Sequence, residues 1–267
     1  MQGEFTMLRC GSTGIQAVAA STRHVFQRHS HEQFGIGVID SGAQKSLSGR
    51  GVVEAGAGDV ITVNPGEVHD GAPIGDAGRS WRMLYFDPEI VVAAVEDMRE
   101  GISPHCEFHR PAMTDAGTAD LFRRLFAAMT KPHSPELRRD ELLPLLLARV
   151  IGERTEFAGA PTMPAAIVKA RQLIDDAPTA ALTLADLAEV SGLSRFQLVR
   201  RFAKATGFTP HAYMLQRRAD LARRLIARGA RLADAAAESR FADQAHMTRV
   251  FTRKYGVSPG VYATALA

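Results

Sequence analysis

The sequence predicts a multi-domain chain of mixed α and β structure: a strand-rich N-terminal domain with helices attached, and an all-α C-terminal domain with two helix-turn-helix units. Three observations carry this prediction. Short β-branched runs bounded by Gly, Asn and Pro fill residues 1–110. Helical spacing then takes over and runs to the end. Within that helical part a long segment repeats itself. At roughly 150 residues per domain, a chain of 267 residues divides into two domains, each large enough to bury a core.

Taken in order, the first segment holds runs such as Phe34–Ile39 and Asp59–Val63 between glycine-rich turns, the pattern of a sandwich or small barrel. Helical spacing begins at Ala119–Thr130 and continues in Pro135–Arg154. There Ser134 is expected to cap the second helix, Pro135 to fill its first turn, and Pro144 to kink it. Leu143, Leu146, Leu147, Val150 and Ile151 form one apolar stripe on that helix, with Leu142 and Leu145 off it. Two apolar aspects point to one face packed on the strand domain and another on a twin subunit, or else to a helix wholly buried in its own domain. Residues 111–156 are therefore assigned as a helical dimerisation segment and 157–164, with Gly159, Pro161 and Pro164, as a linker.

The repeat lies beyond the linker. Leu184, Ala185, Asp186, Ala188 and Ser191 recur at Leu232, Ala233, Asp234, Ala236 and Ser239, an offset of 48 (232 − 184). Arg200, Phe202, Gly207, Pro210 and Tyr213 recur at Arg249, Phe251, Gly256, Pro259 and Tyr262, an offset of 49 (251 − 202). One extra residue sits in the second copy's turn. Each copy has a short Ala-rich helix, a tight turn and a second helix. Gly192 suits a left-handed C-cap, Ser194 an N-cap, and Thr209-Pro210 the start of a long connecting helix to about Arg228.

Charge falls unevenly on this plan. Residues 161–267 carry 16 Lys+Arg against 8 Asp+Glu, a net of +8, which leaves the rest of the +3 chain at −5. A basic domain on an acidic body suits a polyanion. The second helices offer Arg195, Gln197, Arg200, Arg201 and Lys204 in the first unit, and Gln244, His246, Thr248, Arg249, Arg253 and Lys254 in the second. Arginine and glutamine on a helix that fits the major groove are the side chains that pair with guanine and adenine.

The segment from about Ala165 to Ala263 resembles the DNA-binding domain of AraC-type (AraC/XylS) transcriptional regulators, above all in RFADQAHMTRVFTRKYGVSPGVY. The resemblance implies an AraC-type DNA-binding domain over 165–267, with base contacts at Phe196, Val199 and Arg200 in the first unit. In the second it implies Gln244, His246 and Arg249, with Thr248 nearer the backbone. Arg240 stands where the family usually has Gly, at an expected positive φ. Phe196 and Val199 either read thymine methyls or belong to the core.

Two further stretches resemble cupin barrels. His29-x-His31 is similar to their first motif, and Gly58 to His69, in the pattern G-x6-P-G-x-x-H, to their second. On alternate residues His29 and His31 would point to one side of one strand. The resemblance implies a cupin-like effector-binding barrel over 1–110, with His29, His31, Glu67 and His69 lining a pocket and Trp81 and Tyr85 either stacking on a ligand or filling the core. Glu67 is assigned to a cationic effector or to a pair with Arg82. Gly35 and Ile36 occupy the place where metal cupins have a carboxylate, so no cofactor is expected. Metal binding by His29, His31 and His69 is the minor alternative, and a purely structural role a third.

No apolar stretch approaches the ~20 residues of a membrane span, and MQGEFTMLRC is not followed by a signal-like run. Cys10 and Cys106 have no metal-ligand spacing. A cytoplasmic protein with reduced thiols is expected. Nucleophile-elbow, phosphate-loop and Rossmann patterns are all missing. The expectation is a sequence-specific regulator answering to a small-molecule effector, with double-stranded DNA, a second copy of itself and RNA polymerase as partners. The rival is a metal-dependent cupin enzyme fused to a DNA-binding domain.

Overall fold

A computed structural model describes residues 4–48, 51–98, 106–151 and 163–266 of the chain. It divides into two units, Met1–Thr155 with Thr264–Ala267, and Glu156–Ala263. Residues 157–162 of the expected linker, and 152–156 at the end of the helical segment, lie outside the described residues.

The first unit contains nine described strands: β1 (Glu4–Leu8), β2 (Ile15–Thr22), β3 (Phe26–His29), β4 (Phe34–Ser48), β5 (Gly51–Gly56), β6 (Val60–Val63), β7 (His69–Pro73), β8 (Arg79–Phe86) and β9 (Ala112–Met113). They pair antiparallel in the order β1-β2-β8-β4-β6-β9, and β7 bridges β3 to β4. The long β4 is the hub of the sheet, pairing β8 and β6 with its first half and β5 and β7 with its second.

Strand alternation sorts two apolar faces. Ile15, Ala17, Ile36, Val38, Leu84 and Phe86 join one core, covered by α1 (Pro88–Met98), α2 (Ala116–Thr130) and α3 (Glu136–Val150). Ala20, Phe26, Ile39, Ile61, Trp81 and Met83 form a separate core on the opposite face. Gly35 and Gly37 belong to this second face. A Cβ at Gly35 would stand 2.7 Å from Met83 Cε and 3.2 Å from Tyr85 Cε1, and one at Gly37 would collide with Met83 Sδ. Glycine is what lets β8 side chains lie across β4 here.

Three expectations need correction. Helix α1 falls within residues 1–110, which read as strands; its Ile90, Val91, Ala94, Val95 and Met98 follow helical spacing behind Pro88 at the first turn. Helix α3 takes Pro135 as N-cap with no side-chain cap bond, in place of Ser134. Its buried stripe is Leu142, Leu146, Leu147 and Val150, with Leu143 partly buried and Leu137 and Leu145 exposed. Leu142 thus belongs to the stripe. The i+4 and i+8 positions from it are Leu146 and Val150, a better match to 3.6 residues per turn.

The regular elements among the described residues of the second unit are all helices: α4 (Ala165–Asp176), α5 (Leu184–Ser191), α6 (Arg195–Thr206), α7 (Pro210–Ala227), α8 (Leu232–Glu238), α9 (Gln244–Tyr255) and the start of α10 (Pro259–Leu266). Ile167, Ala170, Ile174, Leu187, Leu198 and Phe202 close the first half around Met214 of α7. Ala219, Ala222, Ile226, Ala235, Met247, Phe251 and Tyr262 are buried in the second half. Helix α7 supplies residues to both, which is how one chain carries two successive helix-turn-helix units on a shared spine.

Candidate functional sites: a histidine cluster and two exposed helices

Strand β3 ends at His29, which stands opposite His69, the first residue of β7. His31 lies two residues beyond the end of β3 and not on it, a correction to the expected shared strand face. The chain turns there because the His31 carbonyl accepts from Gly66 N at 2.7 Å. Gly66, at φ 74°, belongs to the Pro-Gly loop before His69. Asn64 holds that loop from beneath: its Nδ2 donates to Phe108 O (2.9 Å) and Glu67 Oε2 (3.0 Å), and its Oδ1 accepts from Phe108 N (2.7 Å). Sequence reasoning missed Asn64, although the residue before a Pro-Gly turn is a common place for such a brace.

The three imidazoles meet. Ring centroids are 4.4 Å apart for His29 and His69, 4.9 Å for His29 and His31, and 5.3 Å for His31 and His69. His29 and His31 are buried and His69 half-buried. His29 Nδ1 lies 2.8 Å from the Gln27 carbonyl and His69 Nδ1 3.1 Å from the Glu67 carbonyl. Tyr85 places its ring 5.0 Å from His31, and burial pushes its phenol up to about 12.

The other predicted pocket residues fare differently. Glu67 faces Asn64 and does not pair with Arg82, a correction: Arg82 makes a two-pronged bond to Asp40, at 2.8 and 2.6 Å, on its cross-strand side. Oε1 of Glu67 is buried with no hydrogen-bond partner among the described residues. Trp81 is 8% exposed and stands edge-on to Phe5 and Phe26, with the Arg79 guanidinium 4.8 Å from its ring. Phe26, 5.8 Å from His29, also borders a cleft of about 370 Å3 whose walls include Val25, Arg28, Lys45, Leu47 and Val52.

In the helical unit the local chemistry follows the caps. Ser194 accepts from Gln197 N and Gln197 Oε1 accepts from Ser194 N, a reciprocal capping box at the start of α6. Gly192, Gly207 and Gly256 take left-handed conformations where the helices end. Asp243 caps α9 by accepting from His246 N at 2.6 Å. Arg240 has φ 58°, the positive value expected at this turn. It is held: its Nε donates to Thr179 O (3.0 Å), while Arg218 donates to its carbonyl (3.1 Å) and to Pro178 O (2.9 Å).

Helix α6 exposes Arg195, Phe196, Gln197 and Arg200, and leaves Val199 half-buried. Phe196 is 70% exposed, with the Arg200 guanidinium 5.6 Å from its ring centroid, so it is not core. Helix α9 exposes Gln244 and Arg249. His246 is half-buried edge-on to Phe241 (5.3 Å), and Thr248, also half-buried, donates back to the Gln244 carbonyl (2.8 Å). Lys254, expected on the basic outer face, is buried at 2% exposure. Its ammonium donates to Asp220 Oδ1 at 2.5 Å, and Tyr255 donates to the same oxygen at 2.7 Å. A lysine in the last turn reads as solvated from local pattern; its partner lies on α7, where no local spacing signals it.

The family model of the AraC-like ligand binding domain matches residues 14–147, half of the chain, and a helix-turn-helix domain matches 187–265. An HTH-type transcriptional regulator of Bacillus subtilis, YbfI, is 29% identical over 233 residues, which cover 83% of this chain and 81% of that protein. The transcriptional activator NphR of a Rhodococcus species is 36% identical over 82 residues, 30% of this chain and 24% of its own length. Among solved structures, a variant of ToxT from Vibrio cholerae without ligand superposes with a TM-score of 0.60 at 14% identity, covering 97% of this chain and all of that one. ToxT with an unsaturated fatty acid bound gives 0.57 at 13% identity, over 100% of this chain and 96% of that one. A ligand-binding domain matched over half the chain, followed by a helix-turn-helix domain over the repeated units, makes this chain a member of the AraC-type transcriptional regulators.

Proposed function

We propose that the regulator reads two successive DNA segments with α6 and α9, and that a small molecule held near the histidine cluster changes how it does so. One observation carries the DNA reading: Arg200 and Arg249, at matching places in the two copies, are both exposed on the second helix of their unit. Arg195, Phe196, Gln197 and Val199 flank the first arginine, and Gln244, His246 and Thr248 the second. Arginine at such places pairs bidentately with guanine N7 and O6. Phe196 offers its ring to a thymine methyl. Gln197 spends its carbonyl oxygen on the cap and keeps its amide N–H groups for DNA.

Replacing Arg200 or Arg249 with Ala should cost ~1–3 kcal/mol of binding and relax base preference in one groove each. Fluorescence anisotropy against operator and random DNA, across a salt series, measures both. Equal losses on operator and random DNA would reduce the two arginines to backbone attraction.

On the sensor side, the cleft bordered by Phe26 has the size of a small-molecule site. Its largely apolar walls, where Arg28 and Lys45 are balanced by Asp70 and by the Glu54 that pairs with Lys45, suit a small, mainly apolar molecule. Binding there shifts the populations of arrangements that differ in DNA affinity. The role is regulation by binding, without catalysis, in the cytoplasm. Among the described residues no helix is long and apolar enough to cross a membrane.

A second copy of the chain is the partner proposed for α3, where Leu137 (68%) and Leu145 (54%) stay exposed beside the buried stripe. Leu145→Asp should give a folded monomer with weaker operator binding by sedimentation velocity. A monomeric unaltered protein, even on DNA, refutes the dimer.

A further inference from the structure

We infer that His29, His31 and His69 form a binding site for one divalent first-row transition ion of the zinc type. They are the one group of three ligand-capable His, Cys, Asp or Glu residues brought together among the described residues, with their ligand atoms all within 4.8 Å of one another. The group is built by the fold. Antiparallel register places His29 opposite His69, and the bond from Gly66 N to the His31 carbonyl brings the third imidazole to the same loop.

Orientation is the stronger argument. His29 and His69 each direct Nδ1 at the carbonyl of the residue two positions earlier, Gln27 and Glu67. A carbonyl only accepts, so Nδ1 carries the proton in each ring and the lone pair sits on Nε2. Metal-binding histidines are held in this way, with one ring N–H donated to a carbonyl so that tautomer and ring plane are set. A Zn–N bond of about 2.0–2.1 Å needs nitrogens roughly 3.3 Å apart at tetrahedral angles. The ligand atoms, within 4.8 Å of one another, draw together by up to about 1.5 Å on binding.

The donor set decides which ion. Three neutral imidazoles with neither thiolate nor carboxylate suit zinc, cobalt, nickel or copper better than magnesium or calcium. Gly35 supplies no fourth ligand, and Tyr85 and Met83 crowd that side. Three neutral ligands leave the 2+ charge uncompensated, so the open position takes water or an anionic donor.

The test uses the full chain without an affinity tag, stripped with a chelator and titrated with Co2+ while the visible spectrum is followed, then challenged with Zn2+. One equivalent should bind and give d–d bands that zinc abolishes. His29→Gln and His69→Gln should each weaken binding at least tenfold, whereas His211→Gln, at an exposed position of α7, should not. His69→Cys guards against a folding artefact: it should bind cobalt again and add a thiolate charge-transfer band in the near ultraviolet. Absence of cobalt binding overturns the site, as does binding that the cluster variants leave intact or that His211→Gln weakens equally. DNA binding by the metal-free protein tests the regulator reading separately, so the two failures are distinguishable.

Discussion

The two helix-turn-helix units share a skeleton and are held together by different chemistry. In the first, Thr183 caps α5 through a capping box with Asp186; in the second, the equivalent Arg231 makes no cap and bridges Asp234 at 2.7 Å instead. The tyrosines correspond as well, half-buried Tyr213 and buried Tyr262. Tyr213 donates to Asp175 at 2.8 Å, and burial followed by that carboxylate raises its phenol well above the usual range. Tyr262 instead stands 3.5 Å from Arg223, which occupies the place of Asp175 48 positions earlier (223 − 175). Half-buried Ala205 is matched by buried Lys254 with its Asp220 (254 − 205 = 49). Duplication preserved the apolar spacing and the turns while the buried polar partner changed sign. Backbone geometry tolerates only a few residues at a turn, whereas any closed set of donors and acceptors satisfies a buried polar group.

That contrast can be broken most sharply at Asp220. Asp220→Ala takes the carboxylate from the Lys254 ammonium, whose side chain is 1% exposed and which keeps the Gln216 carbonyl, and should cost about 3–5 kcal/mol in urea unfolding. Lys254→Met leaves Asp220 with Tyr255 and Arg217 and should cost less. It should also leave the salt slope of DNA binding unchanged, where loss of a phosphate contact would lower it by about one. The tyrosines sharpen the comparison further. Tyr213→Phe loses a short bond to a carboxylate and should cost roughly 1–2 kcal/mol, whereas Tyr262→Phe, at the limit of bonding distance, should cost less than about 0.5 kcal/mol. Equal effects in urea midpoints would show that the hydroxyls are not what differs between the units. The smallest effect is expected at Arg240. Arg240→Gly relieves ~1–2 kcal/mol of left-handed strain but gives up a bond worth ~0.5–1.5 kcal/mol, so stability should move by less than about 1 kcal/mol.

What could be read in the sequence was whatever is encoded over a few neighbouring positions. Gly192, Gly207, Ser194 and Thr209 declare helix ends because they satisfy backbone groups in their own turn, and Arg240 announced its positive φ by standing in a glycine's place. His29, His31 and His69 were legible through their spacing, though not the turn that takes His31 off the strand. Contacts between distant segments left no such trace. Arg82 meets Asp40 across the sheet instead of Glu67, and Lys254 meets Asp220 across 34 positions. The helix Pro88–Met98 escaped because its apolar residues follow a long strand without a change in composition, and only their period marks the switch.

Arg240 has one more consequence. Its guanidinium grips Thr179, in the loop before α5, while Arg218 of the shared helix clasps both its carbonyl and that of Pro178. The turn of the second unit is thereby tied to the entry of the first, which restrains how the two units move against each other. A reader built this way measures as well as recognises. Inserting about 5 base pairs between two half-sites rotates the second one to the far side of the duplex, since a turn of DNA takes about 10. On the proposed reading by α6 and α9, that rotation carries the second half-site away from α9, and two intact half-sites should then bind as one.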